Sequence, residues 1–324
     1  MIQADKILCG VDLGGTKLAV GLVDKKGNLI DKKVVFDHTS KSEDEVVKEI
    51  ASLVNDLLVK NDLKEEDLVG VGVGFPGHIR YKEGITIISS NLKGFRNYPL
   101  KESIQQYFKV PVLIDNDANA QAFAEFKYGA GRGFKSEIFV TISSGVGAGI
   151  IIDGKIYHGV TGTAGEFGHM IVNPNGTIRC GCGNYGCLWT YVSGIALGKI
   201  FKEYLINGET TMLPVDDSTP SSKINGKLLK RGLEINDPLT RKVIGESAKY
   251  MGIGLYNLFQ IFNPSVIIIG GGLINLGNYY LDSIKHHFYN LARDMLFDRI
   301  KIKKSQLMEN AGIIGAASLL LESR

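Results

Sequence analysis

The chain has 324 residues, 44% of them hydrophobic and 22% charged; this globular composition excludes a disordered chain, and about 150 residues per domain predicts roughly two domains. No apolar run reaches the ~20 residues of a membrane helix. The 37 basic and 34 acidic side chains leave +3, scattered rather than blocked, so neither a nucleic acid nor a membrane surface is expected as a partner and a small molecule is. Glycine, with 40 residues, exceeds its usual ~7%, and its clusters mark tight turns.

In chain order, Met1 to Asp12 carries neither a signal nor a transit-peptide pattern, and the expected address is the cytoplasm. Lys6 to Leu22 reads as strand, Gly-rich turn and strand, and a further strand is expected near Leu29 to Phe36. From Ser42, the apolar residues Val46, Val47, Ile50, Leu53, Val54, Leu57 and Leu58 recur at helical spacing. Val69 to Phe75 and Val110 to Ile114 are buried-type strands, the second followed by a helix over Ala118 to Tyr128 that stops at Gly129. The opening theme then returns: strand Glu137 to Ile142, Gly-rich turn Ser143 to Gly147, strand Ala148 to Ile152. Two similar hairpins imply two similar lobes. Asn207 to Asn236 reads as a polar surface excursion, Arg241 to Phe262 as a long buried helix, and Val266 to Ile269 as a strand ending in Gly270-Gly271-Gly272. Alternating strands and helices predict an α/β architecture.

Four clusters carry chemistry. Asp12-Leu13-Gly14-Gly15-Thr16-Lys17 combines an acid, approachable backbone N–H groups, a hydroxyl and an ammonium, which suits a phosphate with its magnesium ion as well as an ordinary glycine hairpin. Its echo at Thr141 to Gly147 favours phosphate, while the absence of Gly-Lys-Ser/Thr excludes a P-loop. Gly72-Val-Gly74-Phe-Pro-Gly77 matches the dinucleotide fingerprint by letter only, since His78-Ile79-Arg80 follows instead of a helix and no ribose-binding acid is spaced for it; Gly77 is left as a backbone wall beside a ligand. Asp115-Asn116-Asp117-Ala118-Asn119 closes a strand and opens a helix, where capping explains one polar residue but not four. In phosphoryl transfer to an alcohol, a carboxylate takes the hydroxyl proton and a neighbouring amide holds the alcohol, roles that Asp117 and Asn116 fit. Cys180, Cys182 and Cys187 with His169 form a closed four-ligand set for structural zinc.

These motifs, with Asn91-Leu92, Ser144 to Gly147, Glu166-Phe167-Gly168-His169 and Gly270 to Gly272, cover nearly the whole chain. Together they resemble the ROK (repressor, open reading frame, kinase) family of sugar kinases, and within it the bacterial ATP-dependent glucokinases. The resemblance implies a duplicated ribonuclease-H-like (actin-like) α/β fold of two lobes. The small lobe would span 1–117, completed by a C-terminal helix over 310–324; the large lobe, 118–309, would carry a zinc loop at 169–187. It implies transfer of the ATP γ-phosphate to the 6-hydroxyl of a hexose, with Asp117 as general base and Gly77, Asn91, Asn116, Glu166 and His169 around the sugar. His169 would bond the sugar through one ring nitrogen and zinc through the other. Asp12 would lie near magnesium, and Gly14, Gly15, Thr16, Lys17, Thr141, Gly145 and Gly271 would contact ATP. A homodimer or homotetramer is expected.

One position departs from the family pattern. The glutamate that normally follows the third cysteine by two residues, a sugar contact, is here Trp189, the chain's only tryptophan. An acceptor has become an indole that donates or stacks, which lowers affinity or shifts sugar preference unless the ring turns into packing. The alternatives are an N-acetylmannosamine kinase, a fructokinase, or a sugar-binding member impaired in catalysis. A repressor with a helix-turn-helix is not expected, because only about six residues precede the phosphate hairpin.

Overall fold

A computed structural model describes residues 6–89, 92, 94–293 and 300–322. Strand β1 (Ile7–Leu13) pairs antiparallel with β2 (Leu18–Val23), and β2 pairs antiparallel with β3 (Leu29–Val35). Both β1 and β2 are buried almost throughout, whereas β3, an edge strand, alternates, with Ile30, Lys32 and Val34 exposed and the residues between them half-buried. Helix α1 (Glu43–Lys60) starts at a capping box, in which the Glu45 N–H donates to Ser42 Oγ and the Ser42 N–H to Glu45 Oε2 at 2.8 Å. Its buried stripe is the one that the apolar spacing predicts.

Strand β4 (Leu68–Phe75) lies parallel to β1; a small hairpin, β5 (His78–Arg80) and β6 (Ile85–Ile88), and helix α2 (Leu100–Gln105) precede β7 (Val112–Asn116), which lies parallel to β4. The first sheet therefore runs β3-β2-β1-β4-β7. Helix α3 (Asp117–Tyr128) follows, then β8 (Glu137–Ile142), β9 (Val146–Ile152) and β10 (Lys155–Ile156). Helices α4 (Trp189–Val192), α5 (Gly194–Ile206), α6 (Gly226–Glu234) and α7 (Pro238–Phe262) lead to β11 (Val266–Gly270), and α8 (Asn278–Ala292) to β12 (Lys301–Lys304) and α9 (Ala311–Ser318). The second sheet runs β10-β9-β8-β11-β12. Each sheet thus has the order third, second, first, fourth, fifth in its own numbering. This is the duplicated ribonuclease-H-like arrangement expected from the sequence.

By contacts the chain divides into Met1–Phe139 with Gly149–Gly165 and Gln306–Arg324, and Val140–Ala148 with Glu166–Ser305. In the first unit α9 lies backbone against backbone on the sheet: a Cβ on Gly10 would come within 2.0 Å of the Ile313 carbonyl oxygen, and one on Gly72 within 1.8 Å of that of Ala316. Gly72, the first letter of the false dinucleotide fingerprint, is there for helix packing. Gly315 likewise brings α9 onto α3, where its Cβ would be 2.4 Å from the Ala120 carbonyl oxygen, so α3 groups by contact with the first unit. In the second unit α7 begins with Pro238 behind an Asp237 cap and ends at Asn263 in the left-handed conformation. The polar excursion differs from expectation in holding an organised helix, α6, capped by Asn225. Among the described residues no helix is long and apolar enough to cross a membrane.

Candidate active site

In the first unit the parallel register sets Asp12 of β1 beside Gly74 of β4, and Gly74 beside Asp115 of β7. Three strand ends are therefore level, and Asp12 lies about 10 Å from Asp115, two strand spacings away. Open α/β sheets hold ligands outside this carboxyl edge. The turn after Asp12 is closed by the Gly14 N–H donating to the Lys17 carbonyl at 2.9 Å, with Gly15 half-buried and Thr16 exposed. Buried His38 donates from Nε2 to the Gly14 carbonyl oxygen at 2.7 Å and steadies the turn from behind. Lys17 Nζ lies 3.4 Å from Asp12 Oδ2. Burial raises the Asp12 pKa, opposed by the Lys17 ammonium. Gly312 makes room for that carboxylate, since a Cβ there would meet Asp12 Cγ at 2.4 Å.

Asn116 is the N-cap of α3. Its Oδ1 accepts the N–H groups of Ala118 and Asn119 at 2.9 and 3.2 Å, and its Nδ2 donates to the Gly77 carbonyl at 3.1 Å. One amide hydrogen is left for a ligand. Asp117 is the first residue of the helix, half-buried, with Oδ1 accepting the Ala118 N–H at 2.9 Å. Gly77 is required by close approach, because its Cβ would sit 2.3 Å from the Ile88 carbonyl oxygen. Gly77, Asn116 and Asp117 thus form one cluster, and Asn91 lies outside the described residues.

In the second unit the turn between β8 and β9 is closed by Ser143 N–H to the Gly145 carbonyl, 2.8 Å, and anchored by Gly194 N–H to the Ser143 carbonyl, 2.8 Å. Gly271, at φ +86°, lets the end of β11 press on this turn, since its Cβ would meet the Ile142 carbonyl oxygen at 2.4 Å. Thr141, Gly145 and Gly271 therefore come together. Gly168 seats the Glu166-to-His169 turn on β9, its Cβ position being 2.6 Å from the Val146 carbonyl oxygen. Trp189 Nε1 lies 3.9 Å from the Cβ position of Gly145, which sets the half-buried indole beside the glycine turn.

His169 Nδ1 is 3.5 Å from Cys180 Sγ, and Cys182 Sγ is 3.7 Å from Cys187 Sγ, too far for a disulfide. All four ligand atoms lie within 4.8 Å of one another. Tetrahedral zinc with ~2.3 Å bonds to sulfur sets ligand edges of about 3.8 Å, so the residues fit the ion. Gly186 permits the wrap, its Cβ position being 1.8 Å from the Asn173 carbonyl oxygen. Burial raises the Cys187 thiol to about 12 and also raises Cys180; at Cys182 burial is outweighed by hydrogen bonds from Asn184 and the other thiols, and the pKa falls. The other ring nitrogen of His169, Nε2, is 4.0 Å from Glu166 Oε2. One imidazole therefore faces the thiols and Glu166 at once.

The model of the ROK family matches residues 8–323. The chain belongs to the ROK family. Relatives within it include the glucokinase of Halalkalibacterium halodurans, 33% identical over 98% of this chain and 96% of that one. The xylose repressor of Caldicellulosiruptor bescii is 32% identical over 97% of this chain and 78% of its own. The ROK glucokinase of Streptomyces griseus, solved with glucose and AMPPNP, superimposes with a TM-score of 0.80 at 32% identity, covering 97% of this chain and 98% of that one. The sequence reading missed His38, His158, Tyr81 and Gly312. Each acts through a partner more than twenty residues away, and nothing local marks them.

Proposed function

We propose that this ROK protein is an ATP-dependent hexokinase that transfers the γ-phosphate to the 6-hydroxyl of a hexose, with glucose as the first substrate to test. The observation that carries the reading is the register of β1, β4 and β7, which levels Asp12 and its glycine turn with Asp115 to Asp117 at one sheet edge. Kinase relatives along the whole chain, one of them solved with glucose and a nucleotide analogue, support it.

Asp117 accepts the 6-hydroxyl proton as that oxygen attacks the γ-phosphorus, and the bond to the ADP oxygen breaks. Asn116, Gly77, Asn91, Glu166 and His169 orient the sugar, and Trp189 borders it. The turn over Gly14 to Lys17, with Thr141, Gly145 and Gly271, holds the nucleotide through backbone N–H groups not spent within the turn, hydroxyls and the Lys17 ammonium. Asp12 would hold magnesium, which neutralises phosphate charge when bound. Zinc on His169, Cys180, Cys182 and Cys187 would hold the loop that aims Glu166 and His169.

The test is ADP release with magnesium-ATP against glucose, mannose, N-acetylmannosamine, N-acetylglucosamine and fructose. Asp117→Asn is expected to lower turnover by at least 100-fold while sugar binding stays within a few-fold. Robust turnover in that variant removes Asp117 as base. A second reading, a sugar-responsive regulator, is favoured by the similarity to the xylose repressor. It predicts sugar binding with no ADP formed by the unmodified chain.

A further inference from the structure

Asp115, two residues before the proposed base, is fully buried. Its Oδ1 accepts the Asn116 N–H at 2.8 Å and the Asn119 side-chain amide at 3.1 Å. Those two residues bracket Asp117. Its Oδ2 is 2.7 Å from Nε2 of His158, itself 8% exposed. The imidazole lies flat on the Tyr81 ring, with centroids 3.7 Å apart and planes 6° apart. Tyr81 directly follows β5, and β5 follows Gly77. The loop after His158 is closed on itself by the Ala164 N–H donating to the His158 carbonyl at 3.1 Å, and it packs on the same hairpin, where a Cβ on Gly162 would be 2.9 Å from the Ile79 carbonyl oxygen.

A buried carboxylate needs donors on both oxygens, and a donor fixed by ring stacking has little rotamer freedom left. His158 is such a donor. It joins three segments: the strand end carrying Asp115 to Asp117, the hairpin after Gly77, and the loop over 158–165. Asn116 ties the first two a second time through the Gly77 carbonyl. Neither His158, Tyr81 nor Asp115 has a place in the chemical step above.

We propose that His158 is a positioning residue: clamped between Tyr81 and Asp115, it sets the direction in which the Asp115–Asn119 segment presents Asn116 and Asp117 to the sugar. This rests on Asp117 being the base. A misplacement of about 1 Å at such a group costs up to roughly 100-fold in rate.

The experiment measures kcat and the KM values for sugar and ATP, per active site titrated, in the full chain and in His158→Leu, His158→Gln and Tyr81→Leu. The expected result is a kcat lowered roughly 10–100-fold in His158→Leu, a raised KM for sugar and an unchanged KM for ATP. Glutamine, which keeps an N–H donor, should recover most of kcat. Tyr81→Leu should lower kcat in the same sense, and its effect should not add to that of His158→Leu. A merely structural role would reduce the fraction of active sites and leave kcat per site and both KM values alone, and that result overturns the proposal. If the leucine variants do not fold, His158→Phe, which keeps a ring on Tyr81 and removes the donor to Asp115, takes their place: a reduced kcat per active site with wild-type KM for ATP supports the clamp, and a kcat and sugar KM equal to wild type overturn it. Asp117→Asn, run alongside, separates the two ideas. Turnover surviving in Asp117→Asn removes the base and the clamp together, whereas a dead Asp117→Asn beside unchanged His158 variants removes the clamp alone.

Discussion

In the role proposed for it, Asp12 would meet two demands that conflict. A carboxylate facing phosphate-bound magnesium has to be ionised, yet burial raises its pKa above the ordinary 3.8, with only Lys17 opposing. The folded state then binds a proton more readily than the unfolded one, so stability falls as pH rises from about 3.8 through the raised value. Asp12→Asn is therefore expected to melt at least as high as the parent at pH 7 while losing magnesium-ATP turnover. Thermal melts at pH 4 and pH 7 with ADP release check both halves. Trp189 permits a second residue-scale measurement, because the chain has one tryptophan and its indole nitrogen lies beside Gly145. Adding AMPPNP with magnesium should change its emission saturably, and magnesium alone should not. Constant emission would put the indole away from the nucleotide.

At the scale of elements, local signals and long-range packing divide the work. Helix α1 was legible because its cap and its stripe are both encoded within its own span. The cap of α7 looks equally local, but Asp237 also accepts Thr211 Oγ1 at 2.9 Å and the Met212 N–H at 2.7 Å, besides the Thr240 N–H and hydroxyl at 2.7 Å each. One buried carboxylate thereby fastens the start of the polar excursion to the helix after it. Burial pushes its pKa up, but these hydrogen bonds outweigh it and the net shift is downward from 3.8. Its stabilisation is thus complete above the unfolded value and lost as pH falls below about 3.8 through the lowered one. Asp237→Ala should cost about 2–4 kcal/mol in urea unfolding at pH 7. The gap between variant and parent should narrow in acid.

For the whole molecule, the thiol and imidazole cluster is where a structural ion would bear on function, because His169 faces the thiols through one nitrogen and Glu166 through the other. Stripping the protein with a strong zinc chelator should lower the melting temperature by about 5–10 °C and raise the KM for sugar more than that for ATP, with zinc restoring both. Unchanged melting and kinetics would refute a structural metal. The amino-acid sequence by itself determined the repeated strand-turn-strand theme, the glycine turn after Asp12, the polar run from Asp115 to Asn119 and the set of three thiols and one imidazole, since each is written in a few neighbouring residues whose chemistry is local. Only the tertiary structure decided why Gly10 and Gly72 are glycines, that His38 steadies the first turn, and that His158 reaches Asp115 across 43 positions. Close approach of backbones and pairing of buried polar groups depend on which surfaces meet, and periodicity does not encode that.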